Sequence, residues 1–203
     1  MTSSPRSPAR QRLLDAADRL FYAEGVHTVG IDRVIGEAGV AKRSLFYNFS
    51  GKDALIGAYL AVWDQRRRDR IARHQEGLDD PVEKLLAVFD SLQEAVLTPG
   101  YNGCAFANAN AEALPGSVEA EALRTFRGWL ATMFLALTTE AGFTDPHDVA
   151  DRLRLLYDGA VANSQLDKHP DAVRLAKELA LMILDTSPRE HATGQNPPEP
   201  ASV

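Results

Sequence analysis

The sequence contains a single cysteine, Cys104, in 203 residues. One thiol excludes an intrachain disulfide and leaves no cysteine pair to build a zinc site. The five histidines (His27, His74, His147, His169 and His191) are scattered without the spacing of a metal-binding pair, so no metal is expected. Apolar runs are all shorter than the ~18 residues a membrane-spanning helix requires. Residues 1–6 lead into no apolar stretch, so no secretory signal is expected, and with the lone thiol this points to the cytoplasm. Neither a glycine-rich phosphate loop nor a Gly-x-Ser-x-Gly elbow occurs, which leaves an enzyme and a bound cofactor without support. Period-2 alternation is missing too, so strands are not expected and the fold class is all-α.

What is present is an ordinary globular composition, 45% hydrophobic and 25% charged. The net charge of -6 conceals a division. Residues 1–75 carry 13 Lys+Arg and 8 Asp+Glu, a balance of +5, and the remainder is at -11. A basic head on an acidic body suits a protein that presents one end to a polyanion.

Helical spacing organises the chain from Pro8 onward. Leu13, Ala17, Leu20 and Phe21 share a face, and Gly25 ends that segment. Two short helical segments follow, Ile31 to Ala38 and Lys42 to Phe49, and then a long helix from Lys52 into the 70s. Further apolar stripes predict helices over 82–96, 103–113, 118–141, 146–165 and 171–185. The expected organisation is an arm over 1–7, a DNA-binding head over 8–50, a body over 51–186 and a polar tail over 187–203.

Ile31 to Phe49 reads as a unit. Gly39 supplies the positive φ of a sharp turn, and Val40 is a small apolar plug between two short helices. This is the helix-turn-helix arrangement, whose second helix enters a major groove. That helix opens on Lys42, Arg43 and Ser44. Leu45 and Phe49 can face inward while Tyr47 points out, and Lys52 can reach a phosphate.

Gln11-Arg12-Leu13-Leu14-Asp15-Ala16-Ala17-Asp18-Arg19-Leu20-Phe21, then Gly25, then Ile35 through Leu55 (IGEAGVAKRSLFYNFSGKDAL), resemble the DNA-binding domain of the TetR family of regulators. Gly103 to Asn108 also resembles a run in that family's ligand-binding domains. The chain departs from the family pattern in places: Gly30 and Ala41 stand where Ser or Thr caps are common, Phe46 where Tyr is common, and Arg43 where Gly is frequent. The resemblance implies a regulator, with repression the expected sense. It would bind a palindromic double-stranded DNA operator as a homodimer and be released by a small-molecule effector, without a membrane partner. DNA contacts are expected from Arg33, Lys42, Arg43, Ser44, Tyr47 and Lys52. An effector pocket is expected around Trp63, Phe89, Phe106, Asn108, Phe126, Trp129, Met133 and Tyr157. The last two helices would form the dimer interface, with Leu156, Ala160, Leu179 and Ile183 at helical spacing.

Two other readings stand beside this one. Cys104 could signal by oxidation or by electrophile addition, against a plain role as a small packed residue. The chain could also be a helical protein-interaction module, against which the basic head and the Gly39 turn both argue. The run Arg66-Arg67-Arg68-Asp69-Arg70 reads as the solvated face of a long helix more readily than as a DNA contact.

Overall fold

The computed structural model describes residues 7–168 and 171–190. Among these it has nine helices: α1 (Pro8–Glu24), α2 (Ile31–Ala38), α3 (Lys42–Asn48), α4 (Lys52–Gln75), α5 (Pro81–Leu97), α6 (Ala105–Asn110), α7 (Val118–Glu140), α8 (Pro146–Leu166) and α9 (Asp171–Thr186). The described residues form no strand ladder, only one isolated bridge between Phe143 and Arg189. None of their helices is long and apolar enough to cross a membrane. The all-α expectation holds.

Local chemistry sets the helix starts. Pro8, Pro81 and Pro146 open α1, α5 and α8, where a missing N–H costs nothing and φ is already suitable. The preceding Ser7, Asp80 and Asp145 each accept a hydrogen bond from a first-turn N–H. Ser117 does the same for α7. Gly30 and Ala41 give α2 and α3 no side-chain cap, so these short helices depend on packing.

That packing is supplied by α1. Leu13, Ala16, Ala17, Leu20 and Phe21 are buried against α2, α3 and α4 with Val34, Ile35, Leu45 and Phe49. Asn48 ties the end of α3 to the start of α1: its Oδ1 accepts from the Ser7 hydroxyl at 2.9 Å and its Nδ2 donates to the Ser44 carbonyl at 2.7 Å. Ser7, the last residue of the expected arm, is therefore engaged, and residues 1–6 lie outside the described range.

In the body, α4, α5 and α7 pack together, and α8 and α9 lie alongside each other against α7 and α5. Phe89, Phe134 and Tyr157 form the buried centre, with Tyr157 edge-on to both phenyl rings. Residues 187–190, assigned above to a polar tail, run beside the α7–α8 turn. Thr144 N–H donates to the Pro188 carbonyl at 3.0 Å, and Glu190 N–H donates to the Gly142 carbonyl at 2.8 Å. The rest of that expected tail, 191–203, lies outside the described residues, as do His169 and Pro170.

Gly39 closes α2 at φ 59° and ψ 41°, in the left-handed region. An added Cβ would meet no atom within 4 Å. Gly39→Ala therefore tests backbone strain alone, without a clash. It is expected to lower stability by about 1–2 kcal/mol, measured as a shifted urea midpoint with an unchanged slope.

Candidate nucleic-acid interface and body cavities

α2 and α3 meet through a tight turn. Gly39 N–H donates to the Gly36 carbonyl at 3.1 Å and Val40 N–H to the Ile35 carbonyl at 3.4 Å, which satisfies the last carbonyls of α2. α3 is seven residues long, and its two sides differ sharply. Leu45 is buried, and Phe49 just past the end is buried too, with the Arg10 guanidinium 5.0 Å above its ring. On the other side Arg43, Phe46 and Tyr47 are exposed, Tyr47 at 89%. A phenol so open on an otherwise well-packed head is unusual unless another molecule covers it.

The six expected DNA contacts divide by their partners. Arg43 and Tyr47 project from α3 into solvent, and Ser44 is half-buried beside them. Lys42 pairs with Asp32 of α2 at 2.8 Å, an exposed and easily exchanged pair. Lys52, at the start of α4, makes a long 3.5 Å contact to the His27 carbonyl. Arg33 is held by Glu24 through two hydrogen bonds of 2.5 and 2.7 Å. Phe46, which stands where the family commonly has Tyr, is exposed and adds apolar area to the same face.

The structure scatters the eight expected pocket residues. Two cavities, of about 250 and 240 Å³, meet at Arg67. Trp63 lines the first, and Phe126 and Tyr157 line the second. The other five line neither. Phe106 stacks on Phe126 with ring centroids 4.6 Å apart, which fills the space between α6 and α7. Phe89 is fully buried in the centre. Asn108 is spent locally: its Nδ2 donates to the Asn102 carbonyl at 2.6 Å and its Oδ1 accepts from Gln165 at 3.0 Å. Trp129 lies under the Arg68 guanidinium at 4.1 Å, and Met133 packs half-buried on α7.

Arginines and tyrosines line much of the first cavity. Tyr22, Trp63, Arg67, Arg70 and Tyr101 border it. Arg67 is only 5% exposed, so the basic run on α4 is not uniformly a solvated face. Arg66 pairs outward with Asp18 at 2.6 Å and Arg68 with Asp64 at 2.8 Å, while Arg67 turns in. A signal was available: Tyr59, Trp63, Arg67 and Ile71 recur every four residues, so Arg67 falls on the inward stripe. Tyr22 and Tyr101 join it from sequence positions too distant for any spacing rule to connect.

The same corner joins head to body. The Tyr22 hydroxyl donates to the Gly103 carbonyl at 3.0 Å and accepts from Asn102 N–H at 2.8 Å. Asn102 Nδ2 returns a bond to the Tyr22 carbonyl at 3.0 Å. Trp63 stacks on Tyr22 at 4.3 Å and donates through its indole N–H to Asp18 at 2.8 Å. The last turns of α1 are thus fastened to α4 and to the segment before α6. Cys104, which caps α6, is buried with its Sγ 3.9 Å from Arg67 Nη1.

Of the expected interface residues, Ala160 is buried within the protomer, Leu156 and Ile183 are half-buried, and Leu179 is open. Leu155, Leu175, Leu179 and Met182 expose apolar side chains on α8 and α9. A shallow groove of about 510 Å³ runs between these helices, floored by Gly159, Ala160 and Ala176.

Residues 13–59 match the model of the bacterial regulatory proteins of the tetR family. The crystal structure of SCO4454, a TetR-family transcriptional regulator from Streptomyces coelicolor, is similar over 89% of this chain and 96% of its own, with 35% identity and a TM-score of 0.84. The transcriptional regulator LmrA of Bacillus subtilis is 34% identical over 85 residues, 41% of this chain and 45% of its own. The transcriptional repressor DhaR of Mycobacterium sp. strain GP1 is 27% identical over 128 residues, 62% of this chain and 63% of its own. The chain thus spans less than two thirds of the length of these two curated relatives. With the helix-turn-helix geometry and a relative aligned along nearly its whole length, the chain belongs to the TetR family of transcriptional regulators.

Proposed function

We propose that the protein is a repressor that grips a palindromic operator as a homodimer and lets go when a small molecule occupies its body. The observation that carries this reading is the asymmetry of α3. One side is locked into the head by Leu45, and the other offers Arg43, Ser44 and Tyr47 to solvent. Such a helix is short enough to read only a few base pairs. Two copies on one two-fold axis double the contacts and span successive major grooves. The exposed leucines of α8 and α9 supply a self-complementary apolar face for that pairing. The repressor sense follows the name of DhaR.

Release is a population shift. The effector binds better to a conformer in which α4 and the attached head are tilted, so the two α3 helices lose their common register on DNA. The Tyr22–Asn102–Gly103 and Trp63–Asp18 hydrogen bonds are the mechanical link, because they fasten α1 to the walls of the first cavity. By linkage, operator must weaken effector binding by the same factor that effector weakens operator binding.

The test is selection from randomised duplexes by the full chain, followed by a salt titration. A palindromic consensus is expected. The logarithm of affinity should fall linearly with the logarithm of salt concentration, with a slope of about -0.9 per phosphate contacted. Retention of all sequences alike would leave only non-specific attraction to the basic head and would remove the operator.

A further inference from the structure

We propose that the effector is an organic anion, a carboxylate on an apolar frame, whose charged group is held by Arg67 and Arg70 in the cavity bordered by Tyr22 and Tyr101. This rests on the reading of the body as a ligand-binding domain and names the chemistry of its ligand.

Arg67 and Arg70 lie one turn apart on α4 and both face the cavity. The Nε of each is buried without a hydrogen-bond partner. Among the described residues, Arg67 reaches the Cys104 sulfur, at 3.9 Å, and the face of Phe126, at 4.7 Å. Among the described residues, neither guanidinium has a carboxylate within ion-pairing distance. Arginine does not escape burial by losing its proton, so these are two like charges without a counter-ion. Buried charges are ordinarily paired, and a site with buried Arg67 left open beside half-buried Arg70 is short of an anion.

The neighbouring groups do not supply that anion. Burial pushes the phenols of Tyr22, Tyr101 and Tyr157 up from their ordinary value, so they remain neutral hydroxyls. Glu94 acts on Arg70 from α5, but it is claimed by Arg73 and His74, whose hydrogen bonds hold its carboxyl at about 2. Burial and the nearby Arg67 both lower the pKa of Arg70, as expected of cations crowded together. The buried Tyr101 hydroxyl also lacks a partner. It is a ready donor to a second carboxylate oxygen.

The rest of the lining sets the remainder of the molecule. Trp63, Ala95 and Pro99 offer apolar area in the first cavity, and Leu123, Phe126 and Val161 do so beyond Arg67 in the second. A bare inorganic anion would leave these walls wet, whereas an aryl or alkyl carboxylate would cover them. Because Tyr22 belongs to α1, the bound molecule would touch the head directly.

The experiment titrates the full-length protein with benzoate, 1-naphthoate and octanoate, with their primary amides, and with inorganic phosphate. It follows thermal stability and the fluorescence of Trp63, isolated by a Trp129→Phe background. At least one carboxylate is expected to saturate in the millimolar range or below, about tenfold or more tighter than its amide. Arg70→Gln should weaken that carboxylate about tenfold and leave the amide unchanged. Arg67→Lys should keep the preference for charge, and Arg67→Met should abolish it, a distinction that a purely structural arginine would not produce. If Arg67→Met fails to fold, Arg70→Gln still decides. Equal binding of acid and amide, phosphate as tight as any carboxylate, or no saturation by any carboxylate each overturns the proposal. Operator affinity measured with the bound carboxylate separates the two readings. Binding without release keeps the anion site and removes the regulatory link.

Discussion

Replacing Leu179 with glutamate is expected to give a folded monomer that no longer holds its operator. Leu179 is 48% exposed, so the protomer loses little by the change. In a two-fold dimer through α8 and α9 the new carboxylate would be buried twice, facing the leucines of the other copy without a cation. Burying an unpaired charge costs several kcal/mol. At 1.4 kcal/mol per tenfold, dimerisation should weaken by about a thousandfold or more. Analytical ultracentrifugation and operator anisotropy should report the two losses together, while the far-ultraviolet circular dichroism is retained. Leu97→Glu, more open still on α5 at 62% and outside the lining of the α8–α9 groove, is the control and should remain dimeric. Ala160→Glu would be a poor test, because Ala160 is buried within the protomer and its replacement would damage the fold itself. A dimeric Leu179→Glu protein would place the pairing surface elsewhere.

That contrast shows what spacing can and cannot reveal. α8 and α9 are apolar on two sides, one turned to α7 and α5 and one turned outward. A 3.6-residue period identifies the helix but cannot say which of two stripes faces the protomer's own core. Leu156 and Ile183 fall between them, and Ala160 falls inside. The helix-turn-helix was legible because its determinants are local. Gly39 fixes the turn, Val34 and Ile35 face Leu45 and Phe49, and all lie within twenty residues of each other.

The cavities were not legible in this way, because their walls come from six helices and the segment between α5 and α6. Large aromatics proved a poor guide to empty space. Phe89 and Phe106 pack tightly against other rings, as large apolar side chains do when shape allows. What marks the first cavity is instead a charge in the wrong place, Arg67 on an apolar stripe. The basic run concealed it, since four arginines in five positions look like a solvated surface at any helical phase. The geometry also weighs on Cys104. The residue is 7% exposed and borders the second cavity, so its sulfur is reached through that cavity rather than from the outer surface.

Arg43 and Tyr47 are expected to fail differently when altered, and the difference separates reading DNA from gripping it. Arg43 stands in the first turn of α3, exposed and free of any ion pair among the described residues. There a guanidinium can donate two parallel hydrogen bonds to the O6 and N7 of a guanine, a contact worth about 1–3 kcal/mol of discrimination. Arg43→Ala should lower operator affinity by about ten- to a hundredfold. It should also flatten the preference at one base pair of each half-site, because the palindrome repeats the contact. Tyr47 sits four residues on, at the open end of the same face. Its hydroxyl can reach a phosphate, which orients the head but carries no sequence information. Tyr47→Phe should therefore weaken every operator variant by a similar, smaller factor, about 1 kcal/mol for one hydrogen bond. The measurement is anisotropy on a panel of single-base operator variants at one salt concentration, with wild type beside each mutant. A uniform loss for Arg43→Ala would make it a phosphate contact, and a shifted preference for Tyr47→Phe would bring the phenol to a base edge.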